Sequence, residues 1–328
     1  MDNLTHSLVG ALLGQAGLKR KTGLAMPALI IGANLPDIDA ACFFWLDGQE
    51  HLGFRRGITH GPPALVLLPL MLAGLLYGFD RWQAKRGKRP EGRLSVNFKW
   101  LYLLSFIGCL THPALDWLNV YGIRLLEPFS SEWFYGDTLF IIDVWLWALM
   151  GFATWWSLRR EKRGGEWRRP ARVAIAAALA YIGMNGAITV AAEYHANKRI
   201  PEISAIASPL PLAFWDREII WHAGEASVEV ARPLWGDWTL AQGLAHDLRS
   251  SKAIVFVEEQ GVPPKSAAEL SGEDADLAAF LFWSRTPFVE CGSGGTVLLR
   301  DARFYDPMAR DRFTVALPDV ECVELPSE

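Results

Sequence analysis

The sequence predicts a mainly α-helical protein, in which a multi-spanning helical membrane domain of five to six helices precedes a small strand-rich soluble domain, either β or α+β. Apolar residues make up 51% of the 328 residues, and the mean hydropathy of +0.14 is high for a soluble chain. The charge also changes sign along the chain. Residues 1–192 carry 20 Lys and Arg against 14 Asp and Glu, whereas residues 193–328 carry 12 against 22. We therefore predict a membrane domain over 1–192 and a separate domain over 193–328.

Apolar runs long enough to cross a bilayer, about 17 to 25 residues, recur through the first part of the chain. A shorter run at 7–18 is borderline for this length. The opening "MDNLTHSLVG" has no positively charged region before its apolar run, so we expect retained helices rather than a cleaved signal peptide. The five full-length runs are 24–46, 61–79, 100–119, 139–157 and 172–192.

The segments between these runs differ in their content of cations. Segments 19–21, 80–93 and 159–172 collect Lys and Arg, which predicts that they are cytoplasmic. Segments 47–60 and 120–138 contain few cations and are predicted on the opposite face. This alternation places the acidic C-terminal domain outside the cytoplasm. Because topology accounts for the basic segments, no nucleic-acid partner is expected, and no protein partner is indicated.

The C-terminal domain is expected to be folded, because β-branched and aromatic runs alternate there with Gly and Pro. The four cysteines form no CxxC pair, which argues against a thiolate zinc site. Cys291 and Cys322 are compatible either with a disulfide or with two separate thiols. The predicted strand runs are "ASVEVARPLW", "KAIVFVEEQ", "FLFWSRTPFVE", "GTVLLRDARFYD" and "RFTVALPDVECVEL".

Polar groups interrupt the apolar segments at four motifs, "THS" (5–7), "NLPDID" (34–39), "RRGITHG" (55–61) and "THPALDW" (111–117). The predicted topology brings all four to the outer leaflet, the first of them only if the short first helix runs inward. Ionisable groups inside spans cost about 2.5–3.5 kcal/mol each on insertion scales, so they are rare and usually mark a site. The groups concerned are His6, Asp37, Asp39, His60, His112 and Asp116.

Each motif alone has a structural explanation as a packing histidine or a capping aspartate, but their convergence favours one shared site. His112 and Asp116 are four residues apart and share a helix face. In "NLPDID" the proline predicts a broken or ending helix. Imidazole and carboxylate donors without thiolates suit a divalent metal ion, most of all zinc, with manganese or iron(II) as alternatives. Secondary candidates are Asp137, Asp143, Arg55 and Arg56, as further ligands, helix-start anions or anion-binding groups.

The motifs "LTHSLVG", "GANLPDID", "RRGITHG" and "THPALDWLNVYGIRLLEPF", in this order, resemble the YdjM-like (DUF457) family of membrane-bound metal-dependent hydrolases, over roughly residues 1 to 160. The resemblance implies a bacterial or archaeal inner membrane protein that holds a divalent metal with the six motif histidines and aspartates. It also implies a distant similarity to the zinc-dependent phospholipase C and P1 nuclease group, which makes phosphoester substrates plausible. No match to the N-terminal metal-binding tryptophan of that group is present.

The leading functional hypothesis is metal-assisted hydrolysis at the outer face, with Asp39 or Asp116 as the general base. A site at headgroup depth favours a lipid or phosphoester substrate. One alternative is a transporter or ion-handling protein, although the inner halves of the spans offer almost no polar groups for a pathway. Another alternative is a membrane anchor for the C-terminal domain, which would not require buried histidines.

Overall fold

The computed structural model describes residues 1–199, 204–223, 227–231, 240–241, 246–247, 274–291, 296–305 and 309–321. These residues fall into two compact units. The first contains Met1–Ala40, Arg56–Ala187 and Pro209–Phe214, and the second contains Ala41–Arg55, Ile188–Ser208 and Trp215–Glu328. The predicted boundary at residue 192 stays a prediction.

The described part of the chain is mainly helical, and its helices follow the predicted apolar runs. Side-chain caps fix several starts: Asp2 accepts hydrogen bonds from main-chain N–H groups of α1, Asn97 from α5 and Asp143 from α6. The α-helices are α1 (Asn3–Gln15), α2 (Ala25–Asn34), α3 (Glu50–Phe54), α4 (Pro62–Lys85), α5 (Phe98–Trp117), α6 (Val144–Lys162), α7 (Arg168–Arg199) and α8 (Ala275–Trp283).

The helix break predicted at "NLPDID" is present. Helix α2 ends at Asn34 and continues as a 3-10 helix over Leu35–Phe44. Pro36 contributes no N–H to an α-helical ladder at this point, which is consistent with the change of helix type. As a result, Asp37 and Asp39 lie on a tighter helix than the one that precedes them.

Three helical stretches in the described residues are long and apolar enough to cross a membrane, namely Ala25–Phe44, Pro62–Lys85 and Arg168–Lys198. The predicted count of five to six spans is not confirmed. Helix α5 contains His112 and Asp116, and the last turn of α6 contains Arg159, Arg160 and Lys162. These polar residues lower the apolar character of two helices that are otherwise of suitable length.

Glycines allow α2 to pack closely between α1 and α5. A Cβ atom on Gly108 of α5 would lie 2.6 Å from the Leu29 carbonyl oxygen, and one on Gly32 of α2 would lie 2.7 Å from the Ser105 carbonyl oxygen. On α1, a Cβ atom on Gly10 would lie 2.7 Å from the same Leu29 oxygen. Small residues at helix contacts permit such backbone proximity. Helices α1 and α5, which carry candidate site residues, are therefore each held against α2 by backbone contact.

The predicted strand-rich region contains two four-stranded sheets, of order β1-β2-β3-β4 and β5-β6-β7-β8. The pairs β2–β3, β3–β4, β5–β6, β6–β7 and β7–β8 are antiparallel. The strands are β1 (Ile206–Pro209), β2 (Arg217–Ala223), β3 (Ser227–Ala231), β4 (Leu240–Ala241), β5 (His246–Asp247), β6 (Pro287–Cys291), β7 (Thr296–Asp301) and β8 (Thr314–Glu321).

One strand prediction is wrong in part. In "FLFWSRTPFVE" the first four residues end helix α8, and only the later residues enter β6. Asp274 caps this helix by accepting a hydrogen bond from the Leu277 N–H, and the helix-favouring "ADLAA" precedes the aromatic residues. The run "KAIVFVEEQ" and Cys322 of the suggested disulfide lie outside the described residues.

A buried ion pair between Asp301 and Arg303 holds the end of β7 in the second unit. The Arg303 Nη2 donates to the Asp301 Oδ2 over 2.7 Å, and the Ser284 hydroxyl donates to the same oxygen over 2.6 Å. Burial alone would raise the pKa of the Asp301 carboxyl, but the Arg303 charge and these hydrogen bonds outweigh it and lower the pKa to about 2.

We expect Asp301→Asn to lower the free energy of unfolding of this unit by about 3–5 kcal/mol at pH 7, because the buried Arg303 cation loses the negative charge of the Asp301 carboxylate. The carboxylate stabilises the fold above its unfolded pKa of about 3.9, so the difference should shrink as the pH falls below about 4. Pulse proteolysis in urea at several pH values measures this. Asp311→Asn is the control, since that exposed carboxylate pairs with Arg300 at 3.3 Å. Its loss should lower the free energy of unfolding by less than about 1 kcal/mol. An equal loss in both variants would contradict the expectation.

Candidate metal centre

Five of the predicted site residues come together inside the first unit. His6 is on α1, Asp37 is on the 3-10 helix after α2, His60 ends a short 3-10 helix (Ile58–His60), and His112 and Asp116 are on α5. Their donor atoms form two groups in which all atoms lie within 4.8 Å of one another, His6 with Asp37 and His112, and His60 with His112 and Asp116. His112 belongs to both groups, so its ring is at the centre of the cluster.

The geometry of His112 indicates which ring nitrogen is available as a ligand. Its Nδ1 lies 2.7 Å from the Ala33 carbonyl oxygen. A carbonyl only accepts, so Nδ1 carries a hydrogen, and in the neutral ring Nε2 then presents its lone pair. That Nε2 lies 3.7 Å from Asp37 Oδ1 and 3.5 Å from Asp116 Oδ2. A lone pair facing two carboxylates is stabilised by a cation between them, and a carbonyl partner on the other nitrogen is typical of metal-binding histidines.

Asp116 is fully buried and lies among the other candidate groups. Its Oδ1 contacts the Met1 amino group and lies 3.4 Å from His6 Nε2. Its Oδ2 lies 3.2 Å from Arg56 Nε and 3.7 Å from His60 Nε2. This carboxylate therefore balances the positive groups around it and is positioned to contribute an oxygen to a bound cation.

His6 is completely buried, yet neither of its ring nitrogens has a hydrogen-bond partner among the described residues. Its ring stacks on that of His112, with the centroids 3.7 Å apart and the planes 17° from parallel. A buried polar atom without a hydrogen bond costs about 1–3 kcal/mol. Ligation of a metal ion would satisfy such an atom, so the observed nitrogen and oxygen donors fit the divalent ion that the sequence predicts.

Asp39, the sixth predicted ligand, belongs to neither group of donor atoms. Its Oδ2 accepts hydrogen bonds from the Arg56 main-chain N–H over 2.8 Å and from the Thr59 hydroxyl over 3.1 Å. The Thr59 hydroxyl is also 2.9 Å from His60 Nδ1. Asp39 thus contacts the segment that leads to His60.

Arg56 is buried beside the cluster, with its backbone in the left-handed region (φ 56°). Its Nη1 donates to the Asn119 side-chain oxygen over 3.0 Å and to the Gly122 carbonyl over 3.1 Å. Its guanidinium carbon lies 4.4 Å from the centre of the Tyr121 ring. Arg56 therefore contacts both the chain after α5, through hydrogen bonds, and the carboxylate of Asp116, through an ion pair.

The other secondary candidates have different surroundings. Arg55 belongs to the second unit, where its guanidinium lies 5.6 Å from the Phe43 ring. Asp143 caps α6 and accepts a hydrogen bond from the Tyr181 hydroxyl over 2.9 Å, and Asp137 is buried with φ 43°. Among the described residues, neither Asp137 nor Asp143 belongs to one of the two donor groups.

Sequence reasoning passed over two residues that contact the cluster, Thr59 and Asn119. Thr59 lies within the quoted motif "RRGITHG", directly before His60. Asn119 follows Asp116 by three residues, a spacing that places both on one side of a helix or 3-10 turn. The signal was therefore present in the motifs, but a hydroxyl and an amide are not metal ligands of the predicted type.

The fold and this cluster define a helical membrane protein with three candidate spans and a buried group of histidines and aspartates able to hold a metal ion. The chain belongs to the family described as YdjM inner membrane protein, which matches residues 1–192. The resemblance predicted from the four motifs is thereby confirmed, and the match extends beyond the predicted 160 residues.

A curated relative shares part of the chain. Over 141 residues the chain is 28% identical to "Uncharacterized protein YfhP" of Bacillus subtilis (strain 168), a match that covers 40% of this chain and 39% of YfhP. No solved structure matches the chain significantly.

Proposed function

We propose that this protein is a membrane-embedded, divalent-metal-dependent hydrolase. The observation that carries the proposal is the convergence of three buried histidines and two aspartates, with His112 Nε2 facing both carboxylates at 3.5 and 3.7 Å. Zinc is the preferred ion for these donors, with manganese or iron(II) next. One or more such ions would be held by His6, Asp37, His60, His112 and Asp116, whose donor atoms form two groups that share His112. When bound, the metal supplies Lewis acidity that activates water for hydrolysis.

The side chains have separate tasks in this proposal. Asp116 neutralises the cation and keeps Arg56 close to it, at 3.2 Å between Asp116 Oδ2 and Arg56 Nε. His112 is fixed by the Ala33 carbonyl, so its ligating nitrogen cannot rotate away. The general base would be whichever of two carboxylates, Asp39 or Asp116, is not engaged as a ligand, and Asp39 belongs to neither donor group.

The proposed substrate is a lipid or a phosphoester that reaches the protein at headgroup depth. Support comes from the candidate span Ala25–Phe44, which contains Asp37 within its apolar length. The buried guanidinium of Arg56 places a positive charge beside the cluster, which would favour an anionic substrate. The basic segments 19–21, 80–93 and 159–172 support a topology with the site and the C-terminal domain on the extracytoplasmic side. The family match supports the inner membrane of a bacterium or archaeon.

Metal analysis of detergent-purified protein tests the proposal. We expect near-stoichiometric zinc, manganese or iron in the wild type, and loss of the metal in the His112→Ala, Asp116→Ala double variant at unchanged helix content by circular dichroism. Screening of phosphoesters and phospholipids with the metal-loaded protein would then identify the reaction. If the wild type stays metal-free after incubation with each of these ions, the hydrolase proposal fails and ion handling or anchoring becomes the better explanation.

A further inference from the structure

The contacts of Thr59 define the hydrogen positions around His60. Asp39 is a carboxylate acceptor, so the Thr59 hydroxyl, 3.1 Å from Asp39 Oδ2, donates its single hydrogen there. The same hydroxyl oxygen, 2.9 Å from His60 Nδ1, is then left to accept the hydrogen of that ring nitrogen. The direct distance between His60 Nδ1 and Asp39 Oδ2 is 3.6 Å, which is too long for a hydrogen bond.

In the neutral ring, this order of donors leaves the lone pair of His60 on Nε2. His60 Nε2 lies 3.7 Å from Asp116 Oδ2, within the second group of donor atoms. His112 has the same arrangement, because the Ala33 carbonyl holds its Nδ1 and its Nε2 faces the carboxylates. Two histidines from different elements thus present the same ring nitrogen to the cluster, each fixed by an acceptor behind it.

Asp39 also fixes the backbone of the segment that carries His60. Its Oδ2 accepts the Arg56 main-chain N–H over 2.8 Å, at a residue whose backbone is left-handed. Both hydrogen bonds to Asp39 Oδ2 therefore originate from residues 56–59, directly before His60. Because Oδ2 is engaged by this segment and Asp39 belongs to neither group of donor atoms, its carboxylate is suited to orient its neighbours.

We propose that Asp39 is a positioning residue, which orients His60 for metal binding through the hydroxyl of Thr59. This inference rests on the proposed metal-dependent function. It assigns Thr59 to the site and removes Asp39 from the ligands and from the candidates for general base. Outer groups that orient a metal-bound histidine typically change metal affinity by about 10- to 100-fold.

The test compares three proteins at Thr59, with Co²⁺ as the probe because its visible absorption reports ligand geometry. Thr59→Val keeps the shape but removes the hydroxyl, so the Co²⁺ affinity, measured against a competing chelator, should fall about 10- to 100-fold with an altered absorption spectrum. Thr59→Ser retains the hydroxyl and should restore both the affinity and the spectrum, which a role in packing alone would not produce.

A second comparison separates positioning from ligation without relying on Thr59. The amide oxygen of Asp39→Asn can still accept both hydrogen bonds, so its Co²⁺ affinity should stay within about 10-fold of the wild type. Asp37→Asn removes a proposed ligand and should lose more than about 100-fold. Equal losses in these two variants, or a Thr59→Val protein with wild-type affinity and spectrum, would overturn the inference while the metal site itself stands. A wild-type protein that binds no Co²⁺ would overturn the proposed function together with the inference.

Discussion

Replacing His6 with phenylalanine should weaken metal binding by about 100-fold or more while making the metal-free protein more stable. The reason is the burial of both ring nitrogens without a hydrogen-bond partner among the described residues. Removing two such atoms relieves a cost of about 1–3 kcal/mol each, and the new ring retains an aromatic surface to stack on His112. A ligand of this kind lowers the stability of the metal-free fold and increases the affinity for the metal.

Thermal unfolding in detergent, first with a chelator and then with added zinc, measures both effects. The wild type should gain about 2.7 kcal/mol when zinc is present at 100 times its dissociation constant, whereas the variant should gain almost nothing. His195→Phe is the matched control, because that histidine is exposed on α7. This substitution should change neither the stability of the metal-free protein nor the stability gained on adding zinc. A metal-free His6→Phe protein that is less stable than the wild type would instead identify His6 as a packing residue.

The opposite signs of these two effects distinguish a ligand from a structural histidine. A histidine that contributes to the fold through hydrogen bonds loses stability on substitution with or without metal. His112 illustrates the mixed case, since its Nδ1 bonds the Ala33 carbonyl while its Nε2 faces the carboxylates. Neither ring nitrogen of His6 makes a hydrogen bond within the described residues, which makes His6 the cleaner test.

The parts of the structure that depend on local sequence could be predicted. Apolar runs indicated helices α1, α2 and α4 to α7, and Pro36 indicated the end of α2 at Asn34. His112 and Asp116 share a face because four residues separate them on a regular helix. The proximity of His6, Asp37 and His60 required an argument from topology, since these residues come from separate elements.

Other features depend on contacts that no local pattern reveals. The position of Asp39 outside both donor groups follows from the Arg56 N–H and the Thr59 hydroxyl, which approach it only after the chain has turned. The misassigned "FLFW" segment shows the same limit, because a short aromatic run suits a helix or a strand and its context decides. In this case the cap at Asp274, outside the run itself, starts the helix.

Substitution of Gly108 with alanine should disturb both the fold and the proposed metal site, although it adds only one methyl group. The new Cβ atom would lie 2.6 Å from the Leu29 carbonyl oxygen and 3.1 Å from the Ala33 nitrogen, both in the backbone of α2. Backbone atoms cannot rotate away as a side chain can, so α2 and α5 must separate. We expect a loss of about 1–3 kcal/mol in stability.

The same displacement moves the Ala33 carbonyl, which holds His112 Nδ1 at 2.7 Å. Loss of that acceptor frees the ring, so metal affinity should also fall by about 10- to 100-fold. Gly74→Ala on α4 is the matched control, because nothing lies within 4 Å of a Cβ atom there and alanine favours a helix over glycine by about 1 kcal/mol. Chelator competition and thermal unfolding of both variants measure the two effects. If Gly108→Ala were as stable as Gly74→Ala and bound metal as tightly as the wild type, close packing of α2 against α5 would not be what fixes His112.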